Sequence, residues 1–308
     1  MFFQNTICND IRFEGKGIHS GEQSTVLIKP APVDTGIVFV QWGEDPSHGV
    51  RANIDNLVHT NNSIAIGKNG FAIQTIEHFM AVFTAYDIQN LFVFVDGSEL
   101  PILDGSSLKI AEAVEHAGIQ VQNAFSEIFY IPYPIWVEDD GRYLIALPSD
   151  EYKITYTIDF SSKSTAVGTQ TACFNIDKET FRKSIAPART FGFSEDLDGL
   201  KNKNLALGGT LDNALLYTQD RLVNEGLRFE NECVRHKILD FIGDLSLTGY
   251  KMRGHFIAYK AGHTMDSELV RRITRLIHRK RMARTVSSTI LKQKEIEFIR
   301  FKRRMNLL

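Results

Sequence analysis

Two short runs of the chain carry side chains that can act on one metal ion. In Cys233-Val234-Arg235-His236-Lys237-Ile238-Leu239-Asp240, a helix would put His236 and Asp240 at i and i+4, one turn apart on one face. Asp244, a further turn on, lies near the same stripe. In Thr75-Ile76-Glu77-His78, a carboxylate and an imidazole fall side by side at the start of a second helix, where the dipole favours an anion and a base would stand beside a ligand. His78, His236 and Asp240 together offer two nitrogens and one oxygen with a position left open. That is the donor set of a hydrolytic zinc site and equally of a non-haem iron(II) site. A third cluster, Tyr259-Lys260-Ala261-Gly262-His263, ends a strand and, released by its glycine, can project a histidine into an interdomain cleft. Each cluster also has a plainer reading: a solvated helix face with a His/Asp pair, a first-turn acid beside a part-buried histidine, and a loop histidine. Spacing alone does not join groups from separate halves of the chain. There is no P-loop, no GxGxxG after a strand and no GxSxG elbow.

The elements that must position these groups follow from periodicity. Up to about residue 53 the chain reads as short strands, among them 25–30 and 36–42, and residues 63–66 and 71–73 read as a hairpin around Gly67-Lys68-Asn69-Gly70. Thr75 is the expected N-cap of a helix to about Tyr86, with Ile76, Phe79, Met80 and Phe83 on one stripe. A buried strand (90–95) and a helix (106–116, stopped by Gly118) complete the half. The second half repeats the order: strands at 128–137, 143–147, 152–160 and 170–174, a helix over 232–247, a strand over 254–259 and a helix from about 267. This predicts an α+β fold rather than a doubly wound parallel sheet, with a boundary within 118–127.

With 308 residues, 43% hydrophobic and 23% charged, the chain has room for about two soluble domains. The net charge of −2 hides an asymmetry: thirteen Lys/Arg and two acids fall between Arg271 and Leu308, a basic appendage on an acidic body. Cys8, Cys173 and Cys233 form neither a disulfide framework nor a metal knuckle. The N-terminus has no signal-peptide pattern and no stretch is long enough to span a bilayer, so the expectation is a cytoplasmic protein with any membrane contact peripheral.

Several co-ordered segments then carry a resemblance: GKGIHSG at 15–21, TIEHFMAVFTAYDIQNLFVFVDGSELPILDGSS, RTFGF, LALGGTLDNALL, NEGLRFENECVRHKILDFIGDLSLTG and AYKAGH. Over roughly residues 1–272 the chain resembles the UDP-3-O-(3-hydroxyacyl)-N-acetylglucosamine deacetylase family, the zinc deacetylases of lipid A synthesis. The resemblance implies two α+β domains (1–124 and 125–272) of similar topology, each a mainly antiparallel sheet on a helical layer, with helices facing each other across the metal site. It implies removal of an N-acetyl group as acetate, the committed step towards the lipid anchor of lipopolysaccharide. By motif position, His78, His236 and Asp240 become ligands of zinc, or of iron(II) in the cell. Glu77 becomes the base, His263 the cationic acid, and Asp244 the group that holds that imidazole, with Thr190 and Lys237 assisting at the oxyanion and the substrate. The unit at about 190–217 becomes an acyl passage lined by Phe191, Leu197, Ala206 and Leu216. Phe160, Phe193, Lys260, Asp159 and Arg142 match positions near the uridine diphosphate, and His19 a substrate contact. The alternative within the same chemistry is another metal-dependent amidohydrolase on a nucleotide sugar or acylated substrate.

The basic extension, 273–308, departs from the family pattern. Leu269, Val270, Ile273, Leu276 and Ile277 form an apolar stripe among Arg271, Arg272, Arg275, Arg279, Lys280 and Arg281. It reads either as a solvated helix with a fraying tail or as a contact for an anionic membrane surface. The terminal Leu307 and Leu308 suggest recognition by a regulatory protease, as in family members with degradation tails. The other expectations are a monomer, a small-molecule substrate and no nucleic-acid partner.

Overall fold

The computed structural model describes residues 2–280. The greater part of the basic tail and the terminal leucines, and with them the expectation of a degradation signal, lie outside the described residues.

Two sheets share one plan. The first runs Ile11–Lys16, Gln23–Pro30, Leu91–Asp96, Ile37–Gln41, Val50–Arg51. The second runs Ile135–Asp139, Arg142–Leu147, Lys251–Tyr259, Tyr152–Asp159, Thr169–Asn175. Along each path neighbours are antiparallel except the central strand and its fourth, which run parallel: Leu91–Asp96 with Ile37–Gln41, and Lys251–Tyr259 with Tyr152–Asp159. A parallel partner requires a crossover, and in both halves a helix supplies it immediately before the central strand: Glu77–Ala85 in the first, Glu232–Leu245 in the second. A second helix follows each central strand, Leu108–Ala117 and 263–280. The repeated strand, helix, strand, helix order is therefore a repeated α+β topology, as expected from the sequence.

Each sheet buries one face. Met252, Phe256 and Ala258 alternate with exposed or half-exposed neighbours along Lys251–Tyr259, and Tyr152, Ile154, Tyr156 and Ile158 do so on the adjacent strand. The helices Glu77–Ala85 and Glu232–Leu245 are buried almost all round, because each has a sheet behind it and the other helix in front. Their approach is close at Gly243, where a Cβ would stand 2.2 Å from the Glu77 carbonyl oxygen. Edge-on aromatic contacts seat the layers: Phe13 on Phe79 in the first half, and Tyr156 and Phe256 on Phe241 in the second.

Four local expectations are corrected. The run 128–137 is two strands, Ile128–Tyr130 and Ile135–Asp139, because Pro132 and Pro134 cannot donate to a ladder. The hairpin strands extend to Ala65–Lys68 and Phe71–Gln74, and the turn is Asn69-Gly70 alone, both at positive φ as a type I′ turn demands. Thr75 does not cap the helix it precedes: it sits at φ 61° with its hydroxyl donated to Glu99 Oε1, 2.9 Å away. The last helix starts at 263, not 267, its first turn closed by the Asp266 amide donating to the Gly262 carbonyl at 3.0 Å.

Candidate active site

The first turn of Glu77–Ala85 meets the middle of Glu232–Leu245 and brings the two candidate clusters together. His78 Nε2 lies 3.7 Å from Asp240 Oδ1, and His236 Nε2 lies 3.3 Å from the same oxygen. The two imidazoles stand nearly perpendicular with centroids 5.0 Å apart. One donor atom from each of His78, His236 and Asp240 falls within 4.8 Å of the others, and all three residues are buried.

The protonation of this group suits a cation. Burial pushes His78 down to about 3, reinforced by His236 alongside, so its imidazole is neutral. Burial likewise lowers His236, against the pull of Asp240. His236 Nδ1 donates to the Ala188 carbonyl at 3.0 Å, which leaves the Nε2 lone pair facing Asp240. Burial alone would raise the Asp240 carboxyl, but the Lys237 ammonium, 2.7 Å from Oδ2, holds it well below the usual range. Two neutral imidazoles and one carboxylate thus point lone pairs at one spot, a fit for a divalent metal.

Glu77 and His263 flank the triad. Glu77 is 3% exposed, its Oε2 accepts the Ile64 N–H at 3.0 Å, and burial, seconded by Asp240 and Asp244 and opposed by His263, lifts its carboxyl to about 8. His263 Nδ1 donates to Asp244 Oδ2 at 2.7 Å. His19 comes within electrostatic reach of His263, its own imidazole pushed down by burial.

A match to the family model described as UDP-3-O-acyl N-acetylglycosamine deacetylase (LpxC) spans residues 4–275, nearly the whole described chain. The chain belongs to the UDP-3-O-acyl-N-acetylglucosamine deacetylase family. A deacetylase of that name from Leptospira biflexa is 41% identical over 269 residues, covering 87% of this chain and 88% of the relative. Those from Chromohalobacter salexigens (41% over 272 residues, 88% and 90%) and Syntrophotalea carbinolica (40% over 274 residues, 89% and 88%) are similar. Within this deacetylase family fold, the remaining sequence candidates fall into two groups.

One group belongs to the insert. Phe191–Phe193 and Leu215–Tyr217 form a two-stranded parallel sheet with the short helix Leu197–Asn202 between them. Leu197, Ala206 and Leu216 are half-buried on this unit, Ala206 at φ 57°. Phe160, Phe191 and Phe193 pack ring to ring at 5.1–6.0 Å, and Phe191 also lies 6.3 Å from the His236 ring, so the aromatic cluster begins at the candidate ligands. Phe193 is buried in it, beside Tyr217. Thr190 is tied through its backbone, donating to Gly105 and accepting from Leu215. The 17–21 loop is docked onto the insert, Leu207 and Gly208 amides donating to His19 and Ile18 carbonyls.

The other group lies at one end of the second sheet. Lys260 Nζ donates to Asp159 Oδ2 at 3.2 Å. Arg142 precedes Tyr143, which stacks on Tyr259, and its guanidinium pairs with Asp139 across the turn. Lys237 Nζ donates to Asp240 Oδ2 at 2.7 Å.

Several residues escaped the sequence reading. Glu99, 1% exposed, accepts from the His19 and Ser20 amides and the Thr75 hydroxyl, tying the 17–21 loop to the start of the Glu77 helix. Glu232, fully buried, accepts from Arg189 N, Nε and Nη2 and from the Arg228 amide. Asp266 is brought to Asp244 and His263. Its i+3 spacing from His263 was visible, but a helix placed from 267 left it outside.

Proposed function

We propose that this protein hydrolyses the N-acetyl amide of UDP-3-O-(3-hydroxyacyl)-N-acetylglucosamine to acetate and the free 2-amine, the committed step of lipid A synthesis. The observation that carries the reading is three unprotonated donors converging between a buried carboxyl and an aspartate-held imidazole, in a chain of this family. His78, His236 and Asp240 would hold the cation, zinc by donor set, with iron(II) suited to the same ligands. A bound divalent cation lowers the pKa of a water from about 15.7 to about 7 and polarises the amide carbonyl. Glu77, with Oε2 fixed by the Ile64 amide, takes the proton of the attacking water on Oε1. His263, oriented through Nδ1 by Asp244, carries a proton on Nε2, stabilises the oxyanion and delivers that proton to the departing amine. Thr190 assists at the oxyanion, and Lys237 keeps Asp240 ionised beside the substrate.

The acyl chain lies along the insert, against Phe191, Leu197, Ala206 and Leu216, gaining about 0.8 kcal/mol per buried CH₂. The nucleotide lies towards Phe160, Phe193, Lys260, Asp159 and Arg142, and His19 closes the site from the 17–21 loop. The domains divide as 1–124 and 125–272, with 273–308 an extension. No described helix is long and apolar enough to cross a membrane. Arg272, Arg275 and Arg279 flank the exposed Tyr133 and Trp136, which supports peripheral contact of a cytoplasmic monomer with an anionic bilayer. Sedimentation with anionic against neutral liposomes, before and after deleting residues 285–308, tests that contact; equal binding to both lipids removes it.

The deciding experiment is acetate release from the substrate by purified protein, with chelator and with Zn²⁺ or Fe²⁺ restored. Activity abolished by chelator and returned by substoichiometric metal supports the reading. A folded, metal-loaded protein that releases no acetate across a series of acyl lengths overturns it.

A further inference from the structure

Behind His263 lies a second buried carboxyl that the proposed reaction does not use. Asp266 is fully buried in the first turn of helix 263–280, and one of its oxygens falls within 4.8 Å of both an Asp244 oxygen and a His263 nitrogen. Asp244 spends Oδ2 on His263 Nδ1 at 2.7 Å. Its Oδ1 and both oxygens of Asp266 have no other hydrogen-bond partner among the described residues. Two ionised carboxylates side by side, shut off from water with three unsatisfied oxygens, would be strongly unfavourable; one shared proton joins two of those oxygens and removes one of the two charges.

The proton belongs on Asp266. Asp244 already accepts from an imidazole N–H, which favours its anionic form, whereas nothing on Asp266 competes for an acid proton. The helix dipole favours an anion in a first turn, but here Asp244 already supplies the negative charge on that side. Burial pushes both well above the usual carboxylate range; Asp244 adds to the rise of Asp266, whereas Asp240 adds to that of Asp244 and the hydrogen bond from Asp266 opposes it.

We propose that Asp266 is a positioning residue for the acid: as a neutral carboxylic acid it donates to Asp244 Oδ1, leaving Asp244 Oδ2 to hold the His263 Nδ1–H. The inference rests on the reading of His263 as the proton donor. Its consequence is a three-residue chain, Asp266 to Asp244 to His263, in which the donor tempers the Asp244 charge and so sets how firmly the imidazolium keeps its proton. Other groups facing this chain are His19 from the 17–21 loop, Glu77 and His78 from the first helix, Lys237 and Asp240 from the helix that bears Asp244, and Tyr156 from the strand beneath. All of them are retained in the variants below.

The test is the alkaline limb of the kcat/KM profile of the metal-loaded enzyme, with infrared detection of a protonated carboxyl as an independent readout. Asp266→Leu removes the donor; Asp244 then holds the imidazolium more tightly, and the limb moves up by about one pH unit. Asp266→Asn keeps a neutral donor, so the limb stays in place while the protonated-carboxyl band is lost. If Asp266 were instead ionised, both variants would move the limb down and Asp266→Asn would remove no protonated-carboxyl absorption. A purely structural role would leave the limb fixed in both variants, with only thermal stability changed. Either of those results overturns the proposal. If Asp266→Leu fails to fold, the loss of protonated-carboxyl absorption from wild type to Asp266→Asn still decides. A wild type without deacetylase activity removes the parent reading, whereas an active wild type whose protonated-carboxyl absorption is unchanged by Asp266→Asn removes only this inference.

Discussion

The Nε2 lone pair of His236 faces Oδ1 of Asp240 across 3.3 Å, two acceptors turned towards each other because the His236 Nδ1–H donates to the Ala188 carbonyl. A divalent cation relieves that opposition, so binding should stabilise the fold as well as enable chemistry. At a free metal concentration of one hundred times Kd the gain is about 2.7 kcal/mol, visible as a rise in Tm. Asp240→Ala and His236→Ala should each abolish both the rise and the metal content measured by elemental analysis. A metal-induced rise that survives in both variants would place the cation elsewhere.

In the proposed reaction Glu77 and His263 act on protons without holding the metal. Glu77→Gln and His263→Gln should each lower kcat by about 10²- to 10⁴-fold while metal content stays at one per chain. Near-normal turnover in either variant would reject the role given to that residue.

Gly243 is the only residue type that fits where it stands, since a Cβ would meet the Glu77 carbonyl oxygen at 2.2 Å. Gly243→Ala should force the two central helices apart, costing about 1–3 kcal/mol in urea unfolding, and should weaken metal binding because His78 and Asp240 separate with their helices. A variant of wild-type stability and metal affinity would show that the contact yields without moving the ligands.

The pair of half-buried Arg189 and buried Glu232 supplies a pH signature of stability. Burial alone would raise the Glu232 carboxyl, but the Arg189 guanidinium and the Arg189 and Arg228 amides outweigh it and hold it below its ordinary value. A depressed folded-state value means stability that is present above the ordinary carboxylate range and is lost as pH falls towards the folded value. Arg189→Met should cost about 3–5 kcal/mol at pH 7, because a buried carboxylate loses its partner. The gap between variant and wild type should narrow as the buffer is acidified through the carboxylate range. A gap independent of pH would assign the loss to packing instead of charge.

Much of this was readable before any coordinates. The i, i+4 spacing of His236 and Asp240 and the side-by-side Glu77 and His78 are local facts, and a helix realises them whatever surrounds it. The repeated element order likewise appears as two sheets with one strand plan, since a helix before each central strand leaves a parallel crossover as the outcome. What stayed hidden is what two distant segments do to each other. Nothing near Glu99 in the chain announces that it receives the amides of His19 and Ser20 some eighty residues away, or that Thr75 gives it a hydroxyl instead of capping a helix. Asp266 stayed hidden because the last helix begins one turn earlier than its apolar stripe suggests.

The three candidate ligands are divided between the halves, His78 in one and His236 with Asp240 in the other, and their approach depends on two helices more than 140 residues apart in the chain. Any cut in the intervening stretch that lets the halves drift apart takes the whole donor set with it, since neither fragment keeps more than two ligands. Inactivation of such an enzyme by a nick is therefore abrupt: a molecule that has lost the embrace of its halves has no partial catalyst left.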